Sequence, residues 1–304
     1  MAVDFTGRVA IVTGAGGGLG RQHALALAAR GAKVLVNDLG GSVDGSGGST
    51  AAAQKVVDEI RAAGGVALAN GASVTDFAAV QAMADQALEA WGRVDVLVSN
   101  AGILRDKSFA KMDLADFRQV LDVHLMGAVH CCKVLWPAMT RQKYGRIVLT
   151  TSSSGLYGNF GQTNYGAAKM ALVGLMQTLA LEGMKHDIRV NCLAPTAVTR
   201  MTEELFPADM LEAFGPEAVV PAMLVLAAQD APTRTTLCAG AGGFEAAHVT
   251  LTPGAYIGLD ADAPERLQAR LDEVRDRRGE TVPASGADQG ANEMRLARAG
   301  LQRQ

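Results

Sequence analysis

Four consecutive apolar residues, Val9–Val12, run directly into the turn Thr13-Gly14-Ala15-Gly16-Gly17-Gly18-Leu19-Gly20, and a helical segment follows. A strand that is apolar on both faces must be covered on both, which calls for a parallel sheet with helices above and below. The same unit recurs along the chain. The strands are expected at Val9–Val12, Lys33–Asn37, Val66–Ala69, Val94–Ser99, Arg146–Thr151 and Ile188–Ala194. Between them the apolar spacing predicts helices over Gly20–Arg30, Ala51–Ala63, Asp76–Trp91, Leu114–Gln142 and Tyr165–Met184. Strand–helix alternation with right-handed crossovers gives an α/β fold, a doubly wound, Rossmann-like parallel sheet with helices on both faces. Residues 1–260 read as this single domain. Residues 261–304 form a charged C-terminal extension, expected to be partly helical or disordered.

The glycines of the first turn let the backbone bend tightly and approach a ligand, and the N-terminus of the following helix favours an anion. Gly14, Gly18, Leu19 and Gly20 are therefore candidates for a dinucleotide pyrophosphate. The next strand ends in Val36-Asn37-Asp38. The Asp38 carboxylate is placed to accept hydrogen bonds from ribose hydroxyls and would repel a 2′-phosphate. Gly17 before Gly18 offers no cation to such a phosphate, so NAD is expected rather than NADP. Small residues at the end of the fourth strand, Asn100, Ala101 and Gly102, leave room beside the nucleotide. The sixth strand ends in Asn191-Cys192-Leu193-Ala194-Pro195, after which the backbone at Val198 is placed to hold a carboxamide.

Tyr165 and Lys169 are four residues apart in a helical run, so they share a face. Ser152 lies thirteen residues before the tyrosine, at the end of an apolar run. A phenol titrates near ~10, and a nearby cation draws it toward the working pH of a general acid–base. A lone Tyr-x-x-x-Lys also describes a surface pair. The hydride acceptor implied by the glycine turn and Asp38 is what gives these three side chains a chemistry to perform.

Charge and composition remove other classes. The balance of 28 Lys+Arg against 31 Asp+Glu, with no basic block, argues against a nucleic-acid partner. No apolar run approaches the ~18 residues of a membrane span, and the N-terminal residues lack a signal-peptide core. Gln302-Arg303-Gln304 is not a peroxisomal address, and the expected location is cytoplasmic. Cys131, Cys132, Cys192 and Cys238 have no metal-ligand spacing and read as free thiols in a reducing compartment. No metal site is expected.

With these pieces in order, the chain resembles the short-chain dehydrogenase/reductase family over roughly residues 5–260. The strings carrying this are Thr13 to Gly20, Asn100 to Gly102, and the set Ser152, Tyr165, Lys169. Within the family, further strings resemble the (3R)-hydroxyacyl-CoA dehydrogenase subgroup, as a free-standing, bacterial-type relative. They are Val36–Gly41, Asn100–Asp106, Lys143–Ile147 and Gly155-Leu156-Tyr157-Gly158-Asn159-Phe160-Gly161-Gln162. The resemblance implies that Tyr165 is the acid/base, that Ser152 positions the substrate oxygen, and that Lys169 binds the nicotinamide ribose while lowering the tyrosine pKa. It places Ser73 and Val74 at the adenine, and Pro195, Val198 and Thr199 at the nicotinamide. His124 stands where the wider family has asparagine; either its imidazole relays a proton to Lys169 or its backbone carbonyl does the positioning. The implied reaction is NAD-linked oxidation of a (3R)-3-hydroxyacyl-CoA to the 3-oxoacyl-CoA in β-oxidation-type lipid degradation. The alternatives are a 17β-hydroxysteroid or steroid side-chain-CoA dehydrogenase, lined by Leu156, Tyr157, Phe160 and a lid over Met201–Phe214, and a non-catalytic NAD-binding scaffold. Apolar residues on several faces of the two long helices, together with the family pattern, imply a homodimer or homotetramer.

Overall fold

The computed structural model describes residues 3–41, 49–198 and 213–302. Among them the chain divides into two compact units, Met1–Ala247 and His248–Gln304. The first holds an eight-stranded sheet: β1 (Val9–Thr13), β2 (Lys33–Asn37), β3 (Val66–Asn70), β4 (Val96–Ser99), β5 (Gly145–Thr150), β6 (Ile188–Pro195), β7 (Thr236–Gly240) and β8 (Gly243–Ala247). The order is β3-β2-β1-β4-β5-β6-β7-β8, and all pairs are parallel except the terminal β7–β8 hairpin. Every residue of β1 and β5 is buried, as the unbroken apolar runs require.

Helices cover both faces: α1 (Gly18–Ala29), α2 (Ala51–Ala62), α3 (Phe77–Trp91), α4 (Leu114–Leu121), α5 (Gly127–Gln142), α6 (Ser153–Tyr157), α7 (Thr163–Gly183) and α8 (Val220–Ala227). One core layer joins Val12, Val34, Leu27, Val56 and Met223; the other joins Ile11, Leu97, Leu135, Ile147 and Met176. Each such side chain contributes about 1.5–3 kcal/mol on burial, so the sheet is held from both sides. The helix starts are set by caps: Asp76 accepts from the amides of Ala78 and Ala79 at 2.9 and 3.1 Å, and Asp113 from Ala115 at 2.8 Å.

The structure departs from the sequence expectation in one long helix and adds detail elsewhere. The predicted helix Leu114–Gln142 is two helices separated by a π-helical turn at Asp122–Met126, an inserted residue's worth of widening that carries His124. Ser152 lies outside β5, where it caps α6 by accepting from the Ser154 amide at 3.2 Å. The elements β7, β8 and α8 escaped the pattern: β7 and β8 are short and Gly/Ala-rich, and α8 carries a proline in its first turn. The hairpin turn is legible in retrospect, since Ala241 and Gly242 adopt φ values of 49° and 77°, the left-handed pair a two-residue turn demands.

The second unit contains α9 (Ala263–Ala269), α10 (Leu271–Val274) and α11 (Ala287–Leu301), with an antiparallel bridge between Leu251 and Thr281. The break between α9 and α10 falls at Arg270, whose guanidinium donates to the Tyr256 carbonyl at 2.9 Å. None of the described helices is long and apolar enough to cross a membrane.

Candidate active site

The sheet order reverses between β1 and β4, and the crevice at the carboxyl ends of these strands is where doubly wound folds bind ligands. Hydrogen bonds sew the crevice together. The Thr13 hydroxyl accepts from the amides of Asn100 and Ala101 at 3.0 and 3.1 Å, while the Asn100 side chain donates to the carbonyls of Thr13 and Gly14, both at 3.1 Å. Gly14 and Gly18 sit at φ 63° and 51°, where a side chain is strained. A Cβ on Gly14 would lie 2.7 Å from Ala101 Cα, and one on Gly20 would lie 2.2 Å from the Gly14 carbonyl oxygen. The turn therefore presents bare backbone and the N-terminus of α1 to a cavity of about 580 Å³.

Asp38 forms one end of that cavity. Its carboxylate accepts from the amides of Gly16 and Gly40 at 2.7 and 2.6 Å, which fixes its orientation. A carboxylate offers about four lone-pair sites, so acceptor capacity remains toward the cavity. The wall beside it, Ala72-Ser73-Val74, is held by Asn37, which donates to the Ala72 carbonyl at 2.9 Å, and by His130, whose Nδ1 is 2.9 Å from the Val74 carbonyl oxygen. This cradle fits an adenosine diphosphate moiety: bare backbone for phosphates, a fixed acceptor for ribose, and an apolar Val74 for a base.

At the other end α7 delivers Tyr165 and Lys169. Lys169 is 3% exposed; its Nζ donates to the Thr150 carbonyl at 2.5 Å and lies 5.4 Å from the centre of the Tyr165 ring. Gly155 allows this packing, because a Cβ there would lie 2.7 Å from that of Lys169. Burial pulls the lysine down from 10.5 to about 7. Burial pushes the Tyr165 phenol up to about 12, opposed by its hydrogen bond with Ser152. Both shifts disfavour the charged form, as desolvation must.

His124 packs edge-on against Tyr165, with ring centres 5.1 Å apart at 89°. Its Nε2 lies 2.8 Å from the Ile103 carbonyl oxygen and 3.1 Å from the Ile103 amide nitrogen. A Cβ on Gly102 would sit 2.3 Å from His124 Cε1, so that glycine is what admits the ring. Burial, then the charge of Lys169, holds the imidazole well below its usual pKa, so it is neutral at neutral pH. Two buried polar atoms here have no hydrogen-bond partner among the described residues: His124 Nδ1 and Thr150 Oγ1. Both residues belong to the cavity wall.

One cavity thus gathers Gly14, Gly18, Leu19, Asp38, Ser73, Val74, Asn100, Ala101, Gly102, His124, Ser152, Tyr165, Lys169 and Pro195. Gly20 lies beneath the turn. Val198 is outside the wall and donates its amide to the Phe214 carbonyl at 2.7 Å. Tyr157 is 72% exposed and takes no part in the wall. Thr199 and the segment 201–212 of the expected lid lie outside the described residues. The sequence reading missed Thr150, Ser154, Asn159 and Gln162 as cavity residues. The last three sit within or beside the string Gly155–Gln162, and polar residues in a Gly-rich loop just before the tyrosine were the available signal. Cys131, Cys132 and Cys192 are buried free thiols, and burial pushes Cys131 and Cys192 up to about 12.

The family model described as short chain dehydrogenase matches residues 8–209. The chain is 52% identical over 242 residues to a peroxisomal hydratase-dehydrogenase-epimerase of Saccharomyces cerevisiae, a match covering 80% of this chain but 27% of that protein. Full-length peroxisomal multifunctional enzyme type 2 from Drosophila melanogaster superposes with a TM-score of 0.80 at 35% identity, over 97% of this chain and 50% of that one. The chain therefore spans about a quarter and about a half of the lengths of these two relatives. A 7α-hydroxysteroid dehydrogenase complexed with NADH and 7-oxo glycochenodeoxycholic acid superposes with a TM-score of 0.72 at 30% identity, over 79% of this chain and 96% of that one.

Proposed function

The chain belongs to the short-chain dehydrogenase family, and we propose that this oxidoreductase uses NAD to interconvert a (3R)-3-hydroxyacyl-CoA and the corresponding 3-oxoacyl-CoA. The observation that carries the reading is the placement of Ser152, Tyr165 and Lys169 at one end of a cavity whose other end is the fixed carboxylate of Asp38. Asp38 favours NAD because it would accept from two free ribose hydroxyls and repel a phosphate. The CoA thioester is inferred from the relatives, which carry hydratase and dehydrogenase in their names or multifunctional enzyme in their title.

In the oxidation direction Tyr165 takes the hydroxyl proton while a hydride leaves the same carbon, and ketone, NADH and a proton result. Bound nicotinamide supplies the hydride acceptor. Ser152, which lines the cavity with Tyr165 and opposes the upward shift of the phenol, would hold the reacting oxygen between the two hydroxyls. In the reduction direction the neutral phenol, the form burial favours, gives its proton to the oxygen as the carbonyl is reduced. Lys169 would hold the nicotinamide ribose through Nζ, and in its charged form it would favour the phenolate that oxidation needs. His124 acts as a neutral positioning residue, anchoring Ile103 and backing the Tyr165 ring. Homodimerisation is proposed through the outer face of α7, where Met170 and Leu181 remain partly exposed; a monomer by light scattering would refute it.

A second reading, a hydroxysteroid or steroid side-chain-CoA dehydrogenase, draws on the similarity to the 7α-hydroxysteroid dehydrogenase. Initial rates with NAD and NADP on a medium-chain (3R)-3-hydroxyacyl-CoA and a free hydroxysteroid separate the two. The proposal expects NAD-linked turnover of the thioester, lost in Tyr165→Phe with NADH binding retained. Turnover surviving in that variant would refute the assignment of the base.

A further inference from the structure

Beyond the catalytic set, one polar cluster in the cavity is not used by the chemistry above. Gln162 is 8% exposed and caps α7, three residues before Tyr165, so the two side chains share one side of the helix start. Its Nε2 donates to Asp106 Oδ2 at 2.6 Å. A carboxylate only accepts, so Asp106 fixes which way the Gln162 amide faces. Gln162 Oε1 then accepts from the Ser154 hydroxyl at 2.8 Å and from Asn159 Nδ2 at 3.2 Å. Ser154 in turn donates its amide to Ser152 Oγ at 3.2 Å, which ties the cluster to the catalytic serine. Each amide nitrogen has two hydrogens, and Gln162 and Asn159 each use one on a protein acceptor. Each therefore keeps one N–H with no partner among the described residues, and both residues line the cavity together with Ser152 and Tyr165.

A simple secondary alcohol has one oxygen, which Ser152 and Tyr165 already hold. A 3-hydroxyacyl thioester has a second, the thioester carbonyl, one methylene beyond the carbinol carbon. We infer that Gln162, oriented by Asp106 and assisted by Asn159, is a specificity-determining residue that donates to this second carbonyl. The inference rests on the thioester reading of the site and adds what selects it. A hydroxyl flanked by ring carbons, as in a free steroid, leaves the buried Gln162 donor unpaired, and a buried amide left unpaired is penalised. A β-hydroxy carbonyl satisfies them. The cluster thus turns a general alcohol site into one that discriminates for a carbonyl oxygen one methylene beyond the carbinol carbon.

The test compares kcat/KM of wild type, Gln162→Leu and Asp106→Asn on a (3R)-3-hydroxyacyl thioester and on a secondary alcohol of equal chain length lacking the carbonyl. Removing the donor should lower the thioester-to-alcohol ratio about tenfold, the equivalent of one hydrogen bond of ~1.4 kcal/mol, chiefly through KM. Asp106→Asn keeps the shape, lets the amide turn over, and should lower the ratio in the same sense but less. NADH affinity and the unfolding midpoint of each variant report whether the fold survives. A ratio that stays at the wild-type value, with both substrates falling together or neither falling, overturns the role of Gln162 and leaves the reaction assignment standing. Wild-type protein that oxidises the hydroxysteroid and not the thioester overturns the reaction assignment, and this inference falls with it.

Discussion

Lys169→Met should make the protein inactive and, at neutral pH, more stable. The lysine is fully sequestered, and burial lowers it from 10.5 to about 7. Folding at pH 7 therefore requires half of the molecules to shed a proton and the rest to bury a charge. At about 1.36 kcal/mol per pH unit the penalty is on the order of 4 kcal/mol. Methionine has similar length and carries no charge, so the variant escapes this. It loses the bond from Nζ to the Thr150 carbonyl and leaves that buried acceptor unmet, a cost of about 1–3 kcal/mol. The net is a stabilisation of roughly 2 kcal/mol, or several degrees in midpoint for a chain of this size. The sign also fixes the pH dependence. The folded value lies below the unfolded one, so between pH 7 and 10.5 the unfolded chain binds the extra proton and wild-type stability rises with pH. The variant lacks that rise, so its advantage should fade toward pH 9, where the remaining penalty and the lost hydrogen bond are of similar size. Thermal or urea unfolding of both proteins at pH 7 and pH 9 reads this directly. A variant less stable than wild type at pH 7, or two parallel pH profiles, would refute the reasoning.

Other perturbations test separate parts of the structure. His23 is fully buried with both ring nitrogens unpartnered among the described residues, and burial holds it at about 4. His23→Leu should gain about 1–3 kcal/mol. Because the folded value lies below the unfolded 6.5, wild type should lose stability as pH falls from 6.5 to 4 while the variant does not; identical acid profiles would count against it. Gly102→Ala would place a methyl 2.3 Å from His124 Cε1, costing about 1–3 kcal/mol of overpacking and disturbing the Tyr165 ring. Denaturation and rate measurements should show both losses, and His124→Ala in the same chain should restore the stability; an unaffected single variant would show that the ring yields freely. Asp38→Ala should weaken NADH binding about tenfold or more, as loss of charge-assisted hydrogen bonds implies, and narrow the preference over NADPH. Isothermal titration with both nucleotides decides it, and an unchanged ratio would remove Asp38 from cofactor selection.

Much of the site was legible because its chemistry is bound to local pattern. Tyr165 and Lys169 meet through helix periodicity alone. The glycine turn announces itself by sitting between a strand and a helix, and Asp38 by ending the next strand. His124 is a different case. Its residue type was visible, but the π-helical turn that aims the ring and the missing Cβ of Gly102 that admits it lie twenty-two residues apart. The effect of Lys169 on Tyr165 could not be fixed from spacing either. Adjacency argued for a lowered phenol, yet burial of both side chains raises the phenol and lowers the lysine.

By itself, then, the sequence determined the elements and their alternation, because apolar periodicity and glycine punctuation act over a few residues and need no knowledge of the rest of the chain. It also picked out the side chains proposed to carry the chemistry. Only the tertiary structure decided the states of those side chains, since desolvation depends on everything packed around a group. It alone decided that Asp106, Ser154, Asn159 and Gln162 form one oriented cluster beside the tyrosine, because that contact joins the segment after β4 to the start of α7 across the sheet edge.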